Sequence, residues 1–303
     1  MKKGFTEQDV TSQAGKTFVI TGANTGLGFE TARVLSGKGA RVVIACRSEE
    51  KANKAMERIL GLHKNAELAY VPLDLGSLES VKACAQQLQA ESKIDVLINN
   101  AGIMVPPYEL TTDGFESQFG VNHLGPFALT GLLLEKLSDV AGSRVVNTSS
   151  IAHKAGNIFF DDINAEKKYS ATGRYAQSKL ANLLFSYELQ RRLETAGQST
   201  ISVACHPGIA DTELSRYLPG LLKAATPLMK PLFNSADQGA WRTLYAATGE
   251  DIKGGEFRGP NKRRGTAGAA APAGSHHRRP DPELAAPRWE VSFDKAGVFP
   301  RNG

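Results

Sequence analysis

A glycine-rich turn between a strand-like run and a helical pattern constrains this chain more than any other feature. Residues 18–20 are continuously apolar, and residues 29–35 carry apolar side chains at helical spacing. Glycines at such a junction let the backbone approach a pyrophosphate, which the N–H groups at the helix N-terminus then hold. The residues of this turn with that potential are Gly22, Asn24, Thr25, Gly26, Leu27 and Gly28. Their Gly-x3-Gly-x-Gly spacing is not the usual G-x-G-x-x-G fingerprint, so a plain turn is the alternative for this motif alone.

Strand-like and helix-like segments alternate from residue 16 to about residue 257 without a linker, which predicts one α/β domain. The runs 41–45 and 96–98 are apolar throughout, as expected for parallel strands covered on both faces. Right-handed crossovers then give a Rossmann-type, doubly wound parallel sheet with helices on both faces. We predict strands at 17–21, 41–45, 67–72, 94–98, 143–149, 200–205 and near 255–258, and helices at 26–37, 49–60, 77–90, 112–136, 173–196 and 236–247.

The boundaries of the domain follow from this alternation and from composition. We predict a domain over residues 1–260 with its core at about 15–257, a basic low-complexity insert at 261–288 and a C-terminal tail at 289–303. Residues 209–233 are predicted to form an apolar lid, and Pro126 to mark a kink or a boundary within the helix that contains it.

Polar motifs recur after the predicted strands, where ligands of such sheets bind. They are Asn99, Ala101 and Gly102, then Asn122, then Ser150 with Tyr175 and Lys179, and finally Pro207, Gly208 and Thr212. In this order, and over roughly residues 15–257, they resemble the short-chain dehydrogenase/reductase family. The end of the second strand and the long segment 157–174 resemble the retinol-dehydrogenase-like reductases and their soluble bacterial relatives.

The resemblance implies a catalytic set of Asn122, Ser150, Tyr175 and Lys179, with Ser149 as the competitor of Ser150. Tyr175 and Lys179 are one helical turn apart and share a face. A phenol with a reference pKa of about 10 transfers protons poorly near neutral pH unless a positive charge lowers that pKa, and the Lys179 ammonium is expected to do so. The alternative is an amphipathic helix surface with no chemistry.

The cofactor is predicted to be NADP(H). Arg47 stands nineteen residues after Gly28, where a carboxylate would select NAD, and a guanidinium can pair with a 2′-phosphate instead. By resemblance, Asp74 and Leu75 contact the adenine, with a helix N-cap as the alternative for Asp74. The resemblance also brings Asn99, Ala101 and Gly102 to the adenine ribose, with strand packing as their alternative, and Pro207, Gly208 and Thr212 to the nicotinamide.

Composition narrows the partners and the compartment. The formal charge of +5 is carried by residues 258–288, which hold seven Arg or Lys and two acidic residues. No aromatic residues interleave there for base stacking, so a solvated loop is favoured over a nucleic-acid or anionic-membrane patch. The three cysteines are far apart and have no metal-ligand spacing, which predicts a reduced, cytoplasmic protein without a metal. Neither a signal peptide nor an integral membrane segment is expected.

These expectations converge on a hydride transfer between the nicotinamide and a small lipophilic carbonyl or alcohol, such as an aldehyde, a ketone, or a retinoid- or steroid-like compound. A ring double-bond reductase of the protochlorophyllide-reductase type is one alternative. A dinucleotide-sensing protein without turnover is another, although a sensor needs no proton donor such as Tyr175. The physiological substrate, the direction of the reaction and a homo-oligomeric state are left open by the sequence.

Overall fold

A single sheet runs through the middle of the molecule. The computed structural model describes residues 4–208, 235–262, 267–272, 292 and 294–297. The strands lie in the order β3-β2-β1-β4-β5-β6-β7-β8, and the first seven are parallel. Their bounds are β1 Thr17–Thr21, β2 Arg41–Cys46, β3 Glu67–Pro72, β4 Val96–Asn99, β5 Arg144–Thr148, β6 Ile201–Cys205, β7 Phe257–Lys262 and β8 Ala267–Pro272. The predicted doubly wound fold is confirmed.

Helices cover both faces of this sheet, because the strand residues are apolar on both sides. In β1, Val19 faces one apolar core and its neighbours Phe18 and Ile20 face the other, and all three are fully buried. The first core is closed by α3 (Leu78–Leu88), α5 (Gly125–Ser138) and α6 (Ala171–Thr195). The second core is closed by α1 (Gly26–Gly37), α2 (Glu49–Leu62) and the last described long helix, here α7 (Ala236–Thr248).

The helix predicted over 112–136 begins later than expected, and it is divided by an element boundary next to Pro126, one of the two predicted alternatives. It starts at Ser117, because the Glu116 carboxylate accepts hydrogen bonds from the N–H groups of Gln118 (2.9 Å) and Phe119 (2.8 Å) and so caps it. A short α4 (Ser117–Phe119) continues into a π-helical turn (Gly120–Leu124) and then into α5. Pro126 lies within the first turn of α5, where proline is tolerated, so the irregularity precedes it.

The segment predicted as a solvated insert contains a strand. β8 pairs antiparallel with β7, from Arg258 opposite Pro272 to Lys262 opposite Ala267. The edge of β7 offers unpaired N–H and C=O groups, and a segment of small residues can satisfy them without burying large side chains. Composition alone could not reveal this pairing. The rest of the predicted insert and the predicted lid at 209–233 lie outside the described residues.

Part of the C-terminal tail packs onto the domain. In the C-terminal tail, Ser292 and Ala296 are buried, at 2% and 5% exposure. Among the described helices, none combines the length and apolarity needed to cross a bilayer.

Candidate active site

The glycine turn after β1 requires glycine at three positions. Gly22 (φ 68°) and Gly26 (φ 55°) adopt the left-handed conformation that side chains disfavour. A Cβ added to Gly28 would lie 2.5 Å from the carbonyl oxygen of Gly22, so no other residue fits there. These constraints close the turn tightly, and Asn24 and Thr25 within it are half-buried at the carboxyl edge of the sheet.

The start of α1 fits an anionic ligand. Thr25 is its N-cap, yet the Thr25 side chain makes no capping hydrogen bond, and α1 has no acidic residue in its first turn. The first N–H groups of a helix carry positive partial charge and need acceptors. The turn is braced from β4, because the Thr21 hydroxyl accepts from the N–H groups of Asn100 and Ala101, both at 3.0 Å. These residues therefore suit the pyrophosphate of a dinucleotide.

Arg47 follows β2 at the same edge of the sheet. It is exposed and forms no hydrogen bond or ion pair with any residue in the described ranges. The next residue, Ser48, caps α2 by accepting from Lys51 N–H at 3.3 Å. The Arg47 guanidinium is thus available to an anion beside the glycine turn.

Asp74 is not the N-cap of α3, so that alternative is wrong. The cap is Ser77, whose hydroxyl accepts from Ser80 N–H at 3.2 Å. The Asp74 carboxylate instead accepts from Gly76 N–H at 2.9 Å, and Asp74 N–H donates to the Ser80 hydroxyl at 2.8 Å. Leu75 is buried, at 6% exposure.

Of the residues at the end of β4, Asn99 packs within the sheet, whereas Gly102 lies next to Lys179. The Asn99 side chain is buried and donates to the Thr130 hydroxyl at 3.0 Å and to Asn147 Oδ1 at 2.9 Å. Its amide therefore supports the sheet. Ala101 and Gly102 are half-buried. A Cβ on Gly102 would lie 3.4 Å from the Nζ of Lys179, so glycine brings the backbone next to that ammonium.

The structure separates the two serines after β5. Ser149 is buried and donates its hydroxyl to the carbonyl of Lys179 at 2.7 Å, which ties β5 to α6. Ser150 is half-buried and starts the turn Ile151–Ala155 by accepting from Ala152 N–H at 3.2 Å. The Ser150 side chain also interacts with the phenol of Tyr175 and acts to lower its pKa. Of the two, only Ser150 is placed to bind a substrate oxygen beside that phenol.

The pKa of Tyr175 moves opposite to the expectation. Burial raises it, and the interaction with Ser150 only partly opposes that effect. The Nζ of Lys179 lies 5.7 Å from the centre of the Tyr175 ring and donates to the carbonyl of Thr148 at 3.2 Å. Lys179 is itself buried, which lowers its pKa to about 8. In the protein alone, loss of hydration outweighs the effect of Ser150 on the Tyr175 pKa, so the phenol stays protonated near neutral pH.

Asn122 lies on the π-helical turn and is fully buried. Its Oδ1 accepts from Ile103 N–H at 2.7 Å, and its Nδ2 donates to the carbonyl of Ile103 at 2.9 Å and to the hydroxyl of Ser178 at 3.0 Å. The side chain thus joins the loop after β4 to the helix that carries Tyr175. The π turn aims this amide inward, as such turns often do at functional sites.

The end of β6 brings Pro207 and Gly208 to the same edge. Gly208 is left-handed (φ 80°), and its N–H donates to Nδ1 of His206 at 3.3 Å. Burial lowers the pKa of His206 to about 3, so this imidazole is neutral and hydrogen-bonded. Thr212 lies outside the described residues. Tyr169, which has no lysine four residues on, donates to the carbonyl of Pro106 at 2.6 Å.

Sequence reasoning missed several supporting residues. Thr21 accepts two backbone hydrogen bonds from the loop after β4, as described above. Asn182 donates to the carbonyls of Asn122 at 2.9 Å and Thr148 at 3.2 Å. Asn182 is three residues after Lys179 on the same face of α6, and a polar amide one helical turn from that lysine was the available signal.

Several known proteins are similar to this chain in sequence. The sequence model of the short chain dehydrogenase family matches residues 16–219. Retinol dehydrogenase 12 of Mus musculus is 49% identical over 242 residues, which cover 79% of this chain and 75% of that protein. Retinol dehydrogenase 13 of Homo sapiens is 42% identical over 294 residues, which cover 94% of this chain and 85% of that protein.

A solved structure extends the similarity over nearly the whole chain. The crystal structure of an uncharacterised protein from Mycobacterium paratuberculosis is 43% identical with a TM-score of 0.81, and the match covers 98% of this chain and 99% of the other. The resemblance predicted from the strand-end motifs is confirmed. The chain belongs to the short-chain dehydrogenase/reductase family of oxidoreductases, which bind a nicotinamide dinucleotide.

Proposed function

We propose that this protein is an NADP(H)-dependent oxidoreductase that interconverts a lipophilic carbonyl compound and its alcohol. The observation that carries the proposal is the grouping of three side chains: Ser150 interacts with the Tyr175 phenol, and the buried Nζ of Lys179 lies 5.7 Å from the Tyr175 ring centre and next to Gly102. A proton donor, an oxygen-binding hydroxyl and a fixed charge thus meet at the carboxyl edge of the sheet, the edge that also carries the glycine turn. This set matches a hydride transfer that leaves an alkoxide to be protonated.

Each residue has a distinct task in this mechanism. A nicotinamide dinucleotide supplies or accepts the hydride when bound. The glycine turn from Gly22 to Gly28 and the start of α1 hold the pyrophosphate. Ser150 holds the substrate oxygen beside Tyr175 by a hydrogen bond that strengthens as negative charge develops. Tyr175 gives its phenolic proton to that oxygen, and Lys179 stabilises the charge left behind. Asn122 keeps the loop after β4 against the catalytic helix.

The pKa values favour reduction near neutral pH. Because burial keeps the Tyr175 phenol protonated, the donor form needed for reduction is present without further change. Oxidation of an alcohol needs the phenolate, which forms at higher pH. Lys179, with a pKa lowered to about 8, is still mostly charged at pH 7.

The choice of NADP(H) rests on Arg47. Its guanidinium is exposed and uncommitted among the described residues, at the point where a carboxylate would accept the ribose 2′-hydroxyl of NAD. No acidic residue occupies the glycine turn to repel a phosphate, since Asn24 is neutral. Asp74, Leu75, Ala101, Gly102, Pro207, Gly208 and Thr212 are proposed to complete the cofactor site.

The substrate class rests on apolar surroundings and on the relatives. Ile103, Met104 and Val105 follow Gly102 directly and are half-buried. The relatives at 42–49% identity described above are named retinol dehydrogenases, after an apolar alcohol. That supports a carbonyl/alcohol substrate over a ring double bond, and turnover over sensing. We also propose a cytoplasmic location, since the three cysteines are buried free thiols.

The test measures the preference for NADPH over NADH in the wild type and in a variant with the charge of Arg47 reversed. The wild-type protein should oxidise NADPH in preference to NADH with an aliphatic aldehyde or retinal. Arg47→Asp should weaken NADPH binding by about 10- to 150-fold, the effect of one charged hydrogen bond, and NADH binding far less. Lys54→Asp makes the same charge change on the exposed face of α2 and should leave both affinities unchanged. A preference of the wild type for NADH would overturn the cofactor assignment.

A further inference from the structure

The loop after β4, residues 102–106, packs against Lys179 and Asn122. A Cβ on Gly102 would lie 3.4 Å from the Nζ of Lys179. The N–H and C=O groups of Ile103 are both bonded to the Asn122 amide, at 2.7 and 2.9 Å. Residues 103–105 are apolar and half-buried. A substrate whose oxygen lies beside Ser150 therefore has this loop as a neighbour.

Val105 in this loop has a strained backbone. Its φ of 53° lies in the left-handed region, and it shares that property only with Ala165 among the non-glycine residues that the structure describes. For a β-branched side chain this conformation is an outlier. Such strain persists only where surrounding contacts hold the backbone in place, and it gathers at functional sites.

Gln118 provides the first of these contacts. It is fully buried, and its Oε1 accepts from Val105 N–H at 2.9 Å. Its Nε2 donates to the carbonyl of Ala171 at 2.9 Å and, more weakly, to the Tyr169 hydroxyl at 3.4 Å. Ala171 is the first residue of α6, one turn before Tyr175. One amide thus ties the strained residue to the helix that carries the proton donor.

Tyr169 provides the second contact. Its hydroxyl donates to the carbonyl of Pro106 at 2.6 Å. Pro106 directly follows Val105, so the strained residue is held on both sides. Burial raises the pKa of Tyr169 to about 12, so the hydroxyl remains a donor over the physiological range. The ring packs against Tyr108, with centres 5.2 Å apart.

We propose that Gln118 and Tyr169 are positioning residues that clamp residues 103–106 as a rigid apolar wall of the substrate site, so that the enzyme selects carbonyl compounds with an extended apolar body. The proposal rests on the proposed function for its substrate and on the geometry above for the clamp. A small aldehyde gains little from such a wall, whereas a long one contacts it along its chain. The wall should therefore govern KM for long substrates and not the chemical step.

Tyr169→Phe tests the clamp, because it removes one hydroxyl and keeps the ring. The matched control is Tyr108→Phe, whose hydroxyl donates to the carbonyl of Asn164 at 3.1 Å in an exposed position. With NADPH, Tyr169→Phe should raise KM for decanal by about 3- to 10-fold, the effect of one hydrogen bond. KM for propanal, kcat and NADPH affinity should each change by less than about twofold. Tyr108→Phe should change none of these.

Hydrogen exchange of residues 103–108 supplies a readout independent of turnover. Exchange should accelerate by about 3- to 10-fold in Tyr169→Phe and not in Tyr108→Phe. Faster exchange with an unchanged KM for decanal overturns the wall, and unchanged exchange overturns the clamp. If the wild type reduces no carbonyl, the proposed function and the wall both fail. Accelerated exchange in that case shows that the fault lies with the substrate assignment and not with the clamp.

Discussion

The buried His123 predicts how this protein loses stability in acid. Its imidazole lies between the side chain of Asn182, 3.1 Å from Nδ1, and the hydroxyl of Ser292 in the C-terminal tail, 2.8 Å from Nε2. The Asn182 amide already donates its Nδ2 to two backbone carbonyls, so its Oδ1 must accept the proton on Nδ1. His123 Nε2 then accepts from Ser292. A neutral imidazole satisfies both partners.

The pKa of His123 determines how much unfolding free energy is lost in acid. Burial lowers the pKa of His123 from 6.5 to about 4. A histidine with a lowered folded-state pKa stabilises the fold fully above pH 6.5, and this contribution is lost as the pH falls towards 4, because the unfolded chain binds the proton first. At pH 5 the loss amounts to roughly 2 kcal/mol. For a domain of this size that corresponds to a fall of about 4–8 °C in Tm.

Thermal melts of wild type and His123→Gln between about pH 7.5 and about pH 5 measure this contribution. Glutamine can donate and accept hydrogen bonds but does not titrate. The Tm of His123→Gln should therefore fall by about 4–8 °C less than the wild-type Tm over this pH range. His63→Gln, at a half-exposed histidine after α2, is the control and should behave as the wild type. Equal losses of Tm in His123→Gln and wild type would refute the reasoning. An NMR titration of the His123 ring should place its midpoint near pH 4.

Two further predictions concern turnover. Tyr175→Phe should lower kcat for carbonyl reduction by about 10²- to 10⁴-fold, because the proton donor is lost, while NADPH binding measured by fluorescence stays intact; substantial remaining activity would contradict the assignment. The rate of reduction should be nearly constant below about pH 7 and fall to about half near pH 8, because the Lys179 ammonium, with a pKa of about 8, loses its proton over that range. A pH profile that stays flat well into alkaline conditions would show that the charge on Lys179 is not needed.

Much of the fold was predictable because its signals are local. Continuous apolar strands and helical spacing predicted all seven parallel strands, with β1 (Thr17–Thr21) and α1 (Gly26–Gly37) at the predicted bounds. The turn between them requires glycine for steric reasons that any chain with this spacing shares. Tyr175 and Lys179 share a face of α6 because a helix places residues four apart together.

Contacts between distant segments were not predictable in this way. Ser149 and Ser150 are equivalent in the sequence, but successive residues of extended chain point in different directions. Ser149 therefore bonds the backbone carbonyl of Lys179, whereas Ser150 interacts with the side chain of Tyr175. The pairing of β8 (Ala267–Pro272) with β7 needs a sheet edge, which composition does not record.

The sequence by itself therefore determined the doubly wound fold, the glycine turn and the candidate catalytic residues, since each depends on spacing within one or two elements. Only the tertiary structure decided that burial raises the pKa of Tyr175, that Asn99 supports the sheet, and that Gln118 holds Val105 in a strained conformation. Burial and hydrogen bonding depend on which elements meet, and the hydrogen bonds of Asn99 and of Gln118 with Val105 join residues 13 to 48 positions apart in the chain.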